Sequence, residues 1–586
     1  MPGGLAAKEV TLLDPAAGTL TFPAEAIKLA VEEYTGAYGD GGKANFIKNQ
    51  LLKNFYAFEL MMAPYAIGHL KISFLLEELG YTMQEDDRFK LYLTNTLDME
   101  DLQQTQIPGL ESLSEESHEA GKVKQKEKIL VIMGNPPYSG HSANKNDWTE
   151  KLLKEDVDGA QSYYKIDGEG LGEKNPKWLQ DDYVKFLRFA QWKIHKAGEG
   201  IVGMITNHSY LDNPTFRGMR QSLMNTFNEI FITDLHGNSK KKETAADGSK
   251  DENVFDIQQG VAVIIMTKNK NSKGCKVYHQ DIFGLRKEKY DWLQEFNFSK
   301  KNYFLLKPEM PWYFFIKRNT EEIKHYNQWI KVNEIFPVNS IGIVTERDEL
   351  TIKWNASEIL NTVKIFSKLD SGLARETYKL GNDARDWKVT MAQDDLRKSN
   401  LAPEKISAIL YRPFDTRFTY YTGNSRGFHC MPRGEVMRNF SSENIGLITS
   451  RIVKGESFCH ALISDTITDG ALLAANTASS SYMFPLYLYP TKERKKKALQ
   501  SLILFEPESA YGSKEKKPNI TPIVFEQLQK AYGQRPAPEQ ILYYCYAILY
   551  SNTYRLKYAA FLKIDFPRIP FTSDYNLFVQ NAKLGE

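Results

Sequence analysis

The stretch that decides the fold is Ile129–Tyr138, which reads ILVIMGNPPY. Its first five residues, Ile129–Met133, form a short apolar run typical of a strand buried on both faces. Two prolines follow Asn135, and because proline fixes φ and lacks a backbone donor, the chain turns rigidly there. Asn135 and the Pro136 carbonyl can then offer two acceptors to the two hydrogens of a planar amine, and Tyr138 can stack on the ring that carries it. A rigid strand-end turn without chemistry is the alternative.

The first 270 residues alternate short apolar runs with helical patterns, which predicts a doubly wound α/β domain with a mostly parallel sheet. The last two expected strands are separated by the polar stretch 237–253, which has no helical period, so they could pair antiparallel. We expect strands at Val10–Leu13, Asn54–Phe58, Lys90–Thr94, Ile129–Met133, Gly200–Ile205, Glu229–Leu235 and Gly260–Met266, and helices at Ala24–Tyr34, Met61–Leu79, Tyr183–Ala197 and Phe216–Phe227.

The second half of the chain has a different texture. Strand-like and helix-like segments mix after about residue 270, Trp and Tyr are frequent, and the βαβ rhythm stops. We therefore expect two domains, residues 1–270 and a mixed α+β domain over residues 271–586. A length of 586 residues with 42% hydrophobic and 25% charged residues is typical of a globular protein with several domains.

Net charge and cysteine content place few limits on the function. The net charge of +2 neither supports nor excludes nucleic acid, because a DNA-binding enzyme needs a basic cleft rather than a basic average. Four cysteines do not make a disulfide framework, and the chain has no run of 18 apolar residues and no signal peptide. We expect a cytoplasmic protein. His429–Cys430 and Cys459–His460 lack the spacing of a zinc half-site, so no metal site is expected.

Polar side chains also follow the three strands before Ile129. In open α/β sheets, ligands bind beyond the carboxyl ends of the strands. Asp14 begins the small-residue stretch DPAAGT (residues 14–19), which lets the backbone approach a ligand, and its carboxylate can bind an ammonium group. Glu59 can accept both hydroxyl protons of a ribose, and Asp98 can accept an exocyclic amine. Each of them alone has a simpler interpretation: an ordinary turn at Asp14, a surface charge at Glu59 and a helix cap at Asp98. Together, at the ends of neighbouring strands, they indicate a site for a nucleotide-like cofactor.

At this point the sequence resembles a known family. DPAAGT, FELMMAPY, NTLD and GNPPY occur in the order of motifs I to IV of the gamma-class amino-methyltransferases, many of which are adenine-N6 DNA methyltransferases of restriction-modification systems. IVGMITNHSYL, FRGMR and VFDIQQGVAV resemble later motifs. LHGNSKKKETAADGSKDENVFDIQQG, YRPFDTRFTYY and FLKIDFPRIPF resemble Type I single-polypeptide (Type ISP) and related fused restriction-modification enzymes.

The resemblance implies a Rossmann-like, seven-stranded S-adenosylmethionine-dependent methyltransferase domain followed by a DNA target-recognition domain. It implies methyl transfer to a flipped adenine of double-stranded DNA without a metal. Asn135, Pro136, Pro137 and Tyr138 would act in catalysis, with Phe255 also packing on the flipped base. The basic loop Lys240, Lys241 and Lys242 is a candidate for phosphate contacts. The cofactor-binding residues would be Asp14, Pro15, Ala16, Gly18, Thr19, Glu59, Leu60, Asp98 and Asn135.

The chain departs from the family pattern in two places. Leu20 replaces a glycine that motif I usually carries, which weakens the inference about cofactor affinity. Only thirteen residues precede Asp14, which leaves almost no room for motif X, so we expect a fragment or a split subunit. Because the sequence has no GxxxxGK[ST] pattern and no clear nuclease motif, cleavage and translocation would reside in upstream domains or another subunit.

Two other functions fit the same motifs. RNA and protein-glutamine methyltransferases also use Asn-Pro-Pro-Tyr, since an amide nitrogen presents the same two hydrogens, although the large second half favours DNA. The chain could also be a DNA-binding specificity module whose methyltransferase half is inert or incomplete. Cofactor binding would separate the enzyme from that module.

Overall fold

The computed structural model describes residues 4–99, 111–140, 142–173, 176–239, 243–245, 247–270, 274–317, 320–453, 457–473, 479–490 and 516–586. The chain divides into two compact units, Met1–Arg318 and Asn319–Glu586. Lys240, Lys241 and Lys242, predicted to contact phosphates, lie outside the described residues.

A nine-stranded, mostly parallel sheet organises the first unit, in the order β9-β8-β6-β7-β5-β4-β1-β2-β3. Strand β7 runs antiparallel to both of its neighbours, β5 and β6. The strands are β1 (Leu12–Asp14), β2 (Phe55–Glu59), β3 (Lys90–Leu93), β4 (Val131–Gly134), β5 (Gly200–Asn207), β6 (Glu229–Asp234), β7 (Val261–Lys268), β8 (Lys276–Asp281) and β9 (Phe304–Leu306).

The seven expected strands and the antiparallel pairing of the last two are confirmed. Strands β8 and β9 were not expected, and they extend the sheet past residue 270. The expected domain boundary at that residue therefore falls within the first unit, which continues to Arg318.

Helices cover the sheet on both faces because successive strand residues point to opposite sides. Leu12 of β1 packs in one core with α1 and α2, whereas Leu13 packs in a second core with α3, α5 and α6. The helices are α1 (Thr21–Tyr38), α2 (Met62–Glu78), α3 (Glu111–Gln125), α4 (Asp147–Lys154), α5 (Asp182–Ala197), α6 (Arg217–Thr226) and α7 (Arg286–Glu295). All four expected helices are present, as α1, α2, α5 and α6.

Leu20, which stands where motif I usually has a glycine, adopts the backbone conformation of a glycine turn. It precedes α1 with φ 61° and ψ 40°, a left-handed conformation that favours glycine. Its side chain is fully buried in the core of α1 and α2. It packs there against Gly68, where a Cβ would lie 3.0 Å from Leu20 Cδ1. The strand-to-helix turn is therefore retained, and the additional side chain is buried in the core.

The second unit is mixed α+β, as expected, with two four-stranded sheets in the orders β10-β17-β14-β15 and β11-β13-β12-β16. Their strands are β10 (Ser340–Ile341), β11 (Ile352–Lys353), β12 (Ile406–Arg412), β13 (Asp415–Tyr420), β14 (Gly446–Ser450), β15 (Ala461–Ser464), β16 (Ile467–Thr468) and β17 (Ser481–Pro485). The longer helices are α8 (Thr320–Asn327), α9 (Ala356–Phe366), α10 (Ser371–Thr377), α11 (Val389–Lys398), α12 (Pro522–Tyr532), α13 (Pro538–Tyr550), α14 (Asn552–Lys557) and α15 (Tyr575–Gly585). Within the described ranges, no helix combines the length and the apolar character needed to cross a membrane.

Candidate active site

The carboxyl ends of β1, β2 and β4 lie side by side because these strands are parallel neighbours. Asp14 pairs with Ala57, two residues before Glu59, and Leu13 pairs with Ile132, two residues before Gly134. The last residues of the three strands therefore meet at one edge of the sheet. Asp14 and Glu59, predicted from the sequence, are among them.

Asp14 is fully buried and only partly hydrogen bonded. Its Oδ1 accepts from the Ala16 amide at 3.0 Å, while Oδ2 has no hydrogen-bond partner among the described residues. Burial, opposed by the Ala16 amide and reinforced by nearby Glu59, raises the pKa of Asp14 to about 7. An unpartnered buried carboxylate oxygen is suited to a cationic ligand.

Glu59 fixes the DPAAGT loop onto the neighbouring strand. Its Oε2 accepts from the Gly18 amide at 2.8 Å, and its Oε1 accepts from the Met61 amide at 2.7 Å. Gly18 has φ 54°, which suits glycine. Each carboxylate oxygen keeps a lone pair for a further donor such as a ribose hydroxyl. Leu60, next to it, is 63% exposed.

The turn that carries Asp98 is fixed by hydrogen bonds from Lys124, a residue that was not predicted to contribute to the site. Asp98 is exposed, and its Oδ1 accepts from the Met99 amide at 3.0 Å. The buried Lys124 of α3 donates to the carbonyls of Asn95 at 2.8 Å and Asp98 at 3.0 Å. Thr96 donates to the Pro15 carbonyl, which joins this turn to the DPAAGT loop.

Asn135 is exposed just beyond β4, and its side chain is already hydrogen bonded. Its Oδ1 accepts from the Tyr138 hydroxyl at 2.8 Å. Pro136 is buried and Pro137 is exposed. The half-buried Tyr138 ring packs edge-on against the Tyr183 ring, with 6.2 Å between the ring centroids. Burial raises the pKa of Tyr138 further above neutrality, so the phenol stays protonated and remains a donor.

Asp181 holds the chain that follows Tyr138, and this residue was also missed. Its two carboxylate oxygens accept from the amides of Ser139 and Gly140, each at 3.1 Å. Burial raises the pKa of Asp181, although these amides oppose the shift. The acidic pair Asp181-Asp182 at the start of α5 was the signal that could have identified it, because Asp is favoured at helix starts.

A second polar cluster lies at the ends of β5, β6 and β8. His208 Nδ1 is 3.0 Å from Asp234 Oδ1, and His236 Nε2 is 2.9 Å from Asp281 Oδ1. The ligand atoms of His208, Asp234 and His236 lie within 4.8 Å of one another, which is close enough to hold a metal ion, and the same is true of a group of Asp234, His279 and Asp281. These histidines and aspartates were not predicted to lie together, because they come from three segments distant in sequence and only the Cys-His pairs were adjacent enough to suggest a metal site.

Phe255 lies on the segment between β6 and β7. Its amide donates to Asn253 Oδ1 at 2.8 Å, and its ring packs partly buried beside Leu235, Val254 and Val261. Hydrogen bonds thus join the DPAAGT loop to Glu59 through the Gly18 amide and to the turn of Asp98 through the Pro15 carbonyl. Asn135 follows directly on Gly134, where a Cβ would lie only 2.7 Å from Asp14 Oδ1.

Two family models match the chain. Residues 53–240 match the Eco57I restriction-modification methylase, and residues 334–586 match the Type ISP C-terminal specificity domain. These matches confirm the resemblance to restriction-modification methylases with a specificity domain. No curated protein matches the chain.

Solved structures of restriction-modification enzymes share the fold over 99% of this chain. A DrdV–DNA complex matches at 25% identity with a TM-score of 0.67, and the chain spans 54% of it. The ATP-dependent Type ISP enzyme LlaBIII bound to DNA matches at 21% identity, with a TM-score of 0.69 and 37% of its length covered. A nuclease-deletion mutant of the Type ISP enzyme LlaGI matches at 22% identity, with a TM-score of 0.66 and 44% covered. The chain therefore spans about half or less of these relatives.

Proposed function

We propose that this chain, with its restriction-modification methylase region and its Type ISP specificity domain, is a site-specific adenine-N6 DNA methyltransferase. S-adenosylmethionine would be the methyl donor and double-stranded DNA the acceptor. The observation that carries the proposal is the exposed Asn135 just beyond β4, directly after Gly134, where a Cβ would lie only 2.7 Å from Asp14 Oδ1.

The residues at the sheet edge fit S-adenosylmethionine. Asp14 offers an unpartnered buried oxygen to the ammonium of its amino-acid portion. Glu59 is held by two backbone amides and can accept from the ribose hydroxyls, as in other nucleotide-binding βα units. The exposed Asp98 is the candidate for the cofactor adenine. When bound, the cofactor supplies an electrophilic methyl group on a sulfonium centre.

Asn135 and Pro136 would activate the acceptor amine. The exocyclic nitrogen of adenine is a poor nucleophile because its lone pair is delocalised into the ring. Hydrogen bonds to Asn135 Oδ1 and to the Pro136 carbonyl hold both of its protons and favour a tetrahedral nitrogen with a free lone pair. Positioning and electrostatics supply this catalysis, and no side chain in the site has to remove a proton before attack.

The target base has to leave the duplex to reach this edge of the sheet, at a cost of about a few kcal/mol. Tyr138 would release Asn135 and stack on the base, and Phe255 would pack on it from the segment before β7. Aromatic stacking of this kind contributes roughly 1–3 kcal/mol per base, which offsets part of that cost.

The specificity domain favours DNA over the other acceptors of the Asn-Pro-Pro-Tyr motif. Its model matches residues 334–586, which form most of the second unit. We propose that this unit reads the DNA sequence, and that any nuclease or translocase activity belongs to other domains or subunits.

Transfer of labelled methyl groups to unmethylated plasmid DNA tests the proposal. The wild type should label DNA, and chromatography of the nucleosides should place the label on N6 of adenine. Asn135→Ala should abolish labelling but keep most of the cofactor affinity, because its main role is on the amine while Asp14 and Glu59 hold the cofactor. Asn49→Ala, an exposed asparagine before β2, is the matched control and should behave as the wild type.

Equal labelling by wild type and Asn135→Ala would overturn the mechanism. Labelling of tRNA or of glutamine peptides in place of DNA would overturn the acceptor. A wild type that binds the cofactor and DNA but transfers no methyl group would favour the inert specificity module.

A further inference from the structure

Four consecutive carbonyls before and at Phe255 are held by one helix. Arg286 of α7 donates from Nε to the Asn253 carbonyl at 2.7 Å and from Nη2 to the Phe255 carbonyl at 3.1 Å. Lys289 Nζ donates to the Glu252 carbonyl at 2.6 Å, and Tyr290 donates to the Val254 carbonyl. The donors share one helix face because they lie three and four residues apart. We call residues 252–255 the clamped segment.

Lys289 is the centre of this arrangement. The side chains of Lys289 and Asp251 are both fully buried and form an ion pair at 2.7 Å. The Lys289 ammonium also donates to the Leu235 carbonyl at 2.7 Å, which uses all three of its protons. Asp251 in turn accepts from the amides of Gly237 at 2.6 Å and Gly284 at 3.0 Å. One buried pair thus fixes the end of β6, the clamped segment and the approach to α7.

Helix α7 is attached by these polar groups rather than by an apolar face. A surface helix of a globular protein normally buries an apolar stripe. In α7 the only buried residue is Lys289. Apolar packing therefore does not explain why α7 lies here, whereas the hydrogen bonds from its donors to the clamped segment do.

We propose that Arg286, Lys289 and Tyr290 are positioning residues that set the location of Phe255 at the target-base site. The inference rests on the proposed function, since Phe255 is the aromatic residue proposed to pack on the flipped base. It also makes a helix beyond residue 270 part of the active-site architecture.

The main experiment is a double-mutant cycle on the full chain with unmethylated plasmid DNA. Arg286→Ala should lower the single-turnover methylation rate about tenfold, since small displacements of positioning groups cost up to about 100-fold. Cofactor and DNA affinities should stay within about twofold of the wild type. Phe255→Ala should also lower the methylation rate with little change in the two affinities. The double variant should be only slightly slower than either single variant, because Arg286 acts through Phe255.

The matched control is Lys287→Ala on the same helix. Lys287 has an 84% exposed side chain, and its ion-pair partner among the described residues is Asp291, four residues along. Its replacement should leave the methylation rate unchanged. Tyr290→Phe removes a single hydrogen bond and should give an intermediate loss of rate. Lys289→Met is not used, because it leaves the buried Asp251 carboxylate without its partner and destabilises the fold.

Hydrogen exchange keeps the two proposals separate. In the free protein, Arg286→Ala should accelerate exchange in a peptide that covers the clamped segment, and Lys287→Ala should not. Equal exchange in the two variants, or additive rate losses in the cycle, would overturn the positioning role. A wild type without methylation activity but with accelerated exchange in Arg286→Ala would overturn the proposed function and leave the clamp standing.

Discussion

Asp14 and Asp234 are both buried carboxylates at the ends of strands in the same sheet, and the pKa values of the two move in opposite directions. Burial raises the pKa of Asp14 to about 7, and the charge of nearby Glu59 adds to the rise. Burial would raise the pKa of Asp234 too, but the charge and hydrogen bond of His208 together with His236 outweigh it and lower the pKa to about 2.

The difference separates a carboxylate whose partners lie within the protein from one that we propose binds a ligand. Asp234 is satisfied within the protein, since His208 and the His236 amide both lie 3.0 Å from its Oδ1. Asp14 keeps an oxygen without a partner among the described residues, and the free energy of that arrangement improves when a cation arrives. The same residue type at the ends of two strands thus has two different surroundings, and mutation can distinguish their effects.

The largest expected effect is on stability at the satisfied site. Asp234→Ala should lower the free energy of unfolding by about 3–5 kcal/mol, because removing one partner of a buried pair leaves the other uncompensated. Urea denaturation measures it. The control is Asp281→Ala: Asp281 also contacts His236 but is 42% exposed, so it should cost no more than about 1 kcal/mol. Equal losses in the two variants would break the comparison.

At the unsatisfied site the effect should fall on binding. Asp14→Asn should weaken S-adenosylmethionine binding about 10- to 100-fold, since hydrogen bonds to charged groups contribute about 1.5–3 kcal/mol. The free protein should be as stable as the wild type or more stable, because a buried charge is removed. Calorimetric titration and thermal unfolding measure the two quantities, with the exposed Asp86→Asn as control. Destabilisation without loss of binding would reverse the assignment.

The steric setting of Asp14 can be tested from the neighbouring strand. In Gly134→Ala the new Cβ would lie 2.7 Å from Asp14 Oδ1, so the carboxylate or the strand has to shift. Such overpacking costs about 1–3 kcal/mol. Gly203→Ala, on the next strand, meets nothing within 4 Å and should be tolerated. Unfolding curves of the two variants provide the measurement, and similar curves would contradict the close approach.

The smallest expected effect is on pH dependence. Cofactor affinity should rise about tenfold from pH 6 to pH 8 as Asp14 loses its proton, and it should be flat in Asp14→Asn. The free energy of unfolding depends on pH in the opposite direction. Folded Asp14 holds its proton to about pH 7, whereas the unfolded chain releases it near pH 3.8. The Asp14 contribution to stability therefore falls as the pH rises between these values.

Asp234 should behave in the reverse way. Its folded pKa of about 2 lies below the unfolded 3.8, so its stabilisation is present at neutral pH and is lost as the pH falls through this range. Denaturation midpoints between pH 3 and pH 8 for the wild type, Asp14→Asn and Asp234→Asn test the two signs. Parallel pH profiles would contradict the difference between the two sites.

The sequence predicts the first unit well because its elements follow simple patterns. Apolar runs mark the central strands, and parallel strand ends must meet, so the proximity of Asp14, Glu59 and Asn135 follows from their positions. Strand β9 has only three residues, and α7 buries only Lys289, so neither carries a periodicity that could be detected.

The sequence pattern does not predict which residues distant in the chain contact each other. Asp181 reaches Ser139 across 42 residues, and His208 reaches Asp234 across 26. The sequence identified Asp14 as a candidate ligand for a cation but not Asp234 as a satisfied one. That distinction depends on which oxygen atoms remain without a partner, and only coordinates provide it.

The hydrogen bond between Asn135 and Tyr138 has a consequence for discrimination between bases. In the free protein the Asn135 side-chain carbonyl already accepts a hydrogen bond from the Tyr138 phenol. An incoming amino group can replace that donor, so one hydrogen bond is exchanged for another at little net cost. A keto group at the same position brings only acceptors, so the Asn135 carbonyl would either keep Tyr138 or lose its partner. The resting contact would thus admit amino bases and disfavour keto bases before any methyl group moves.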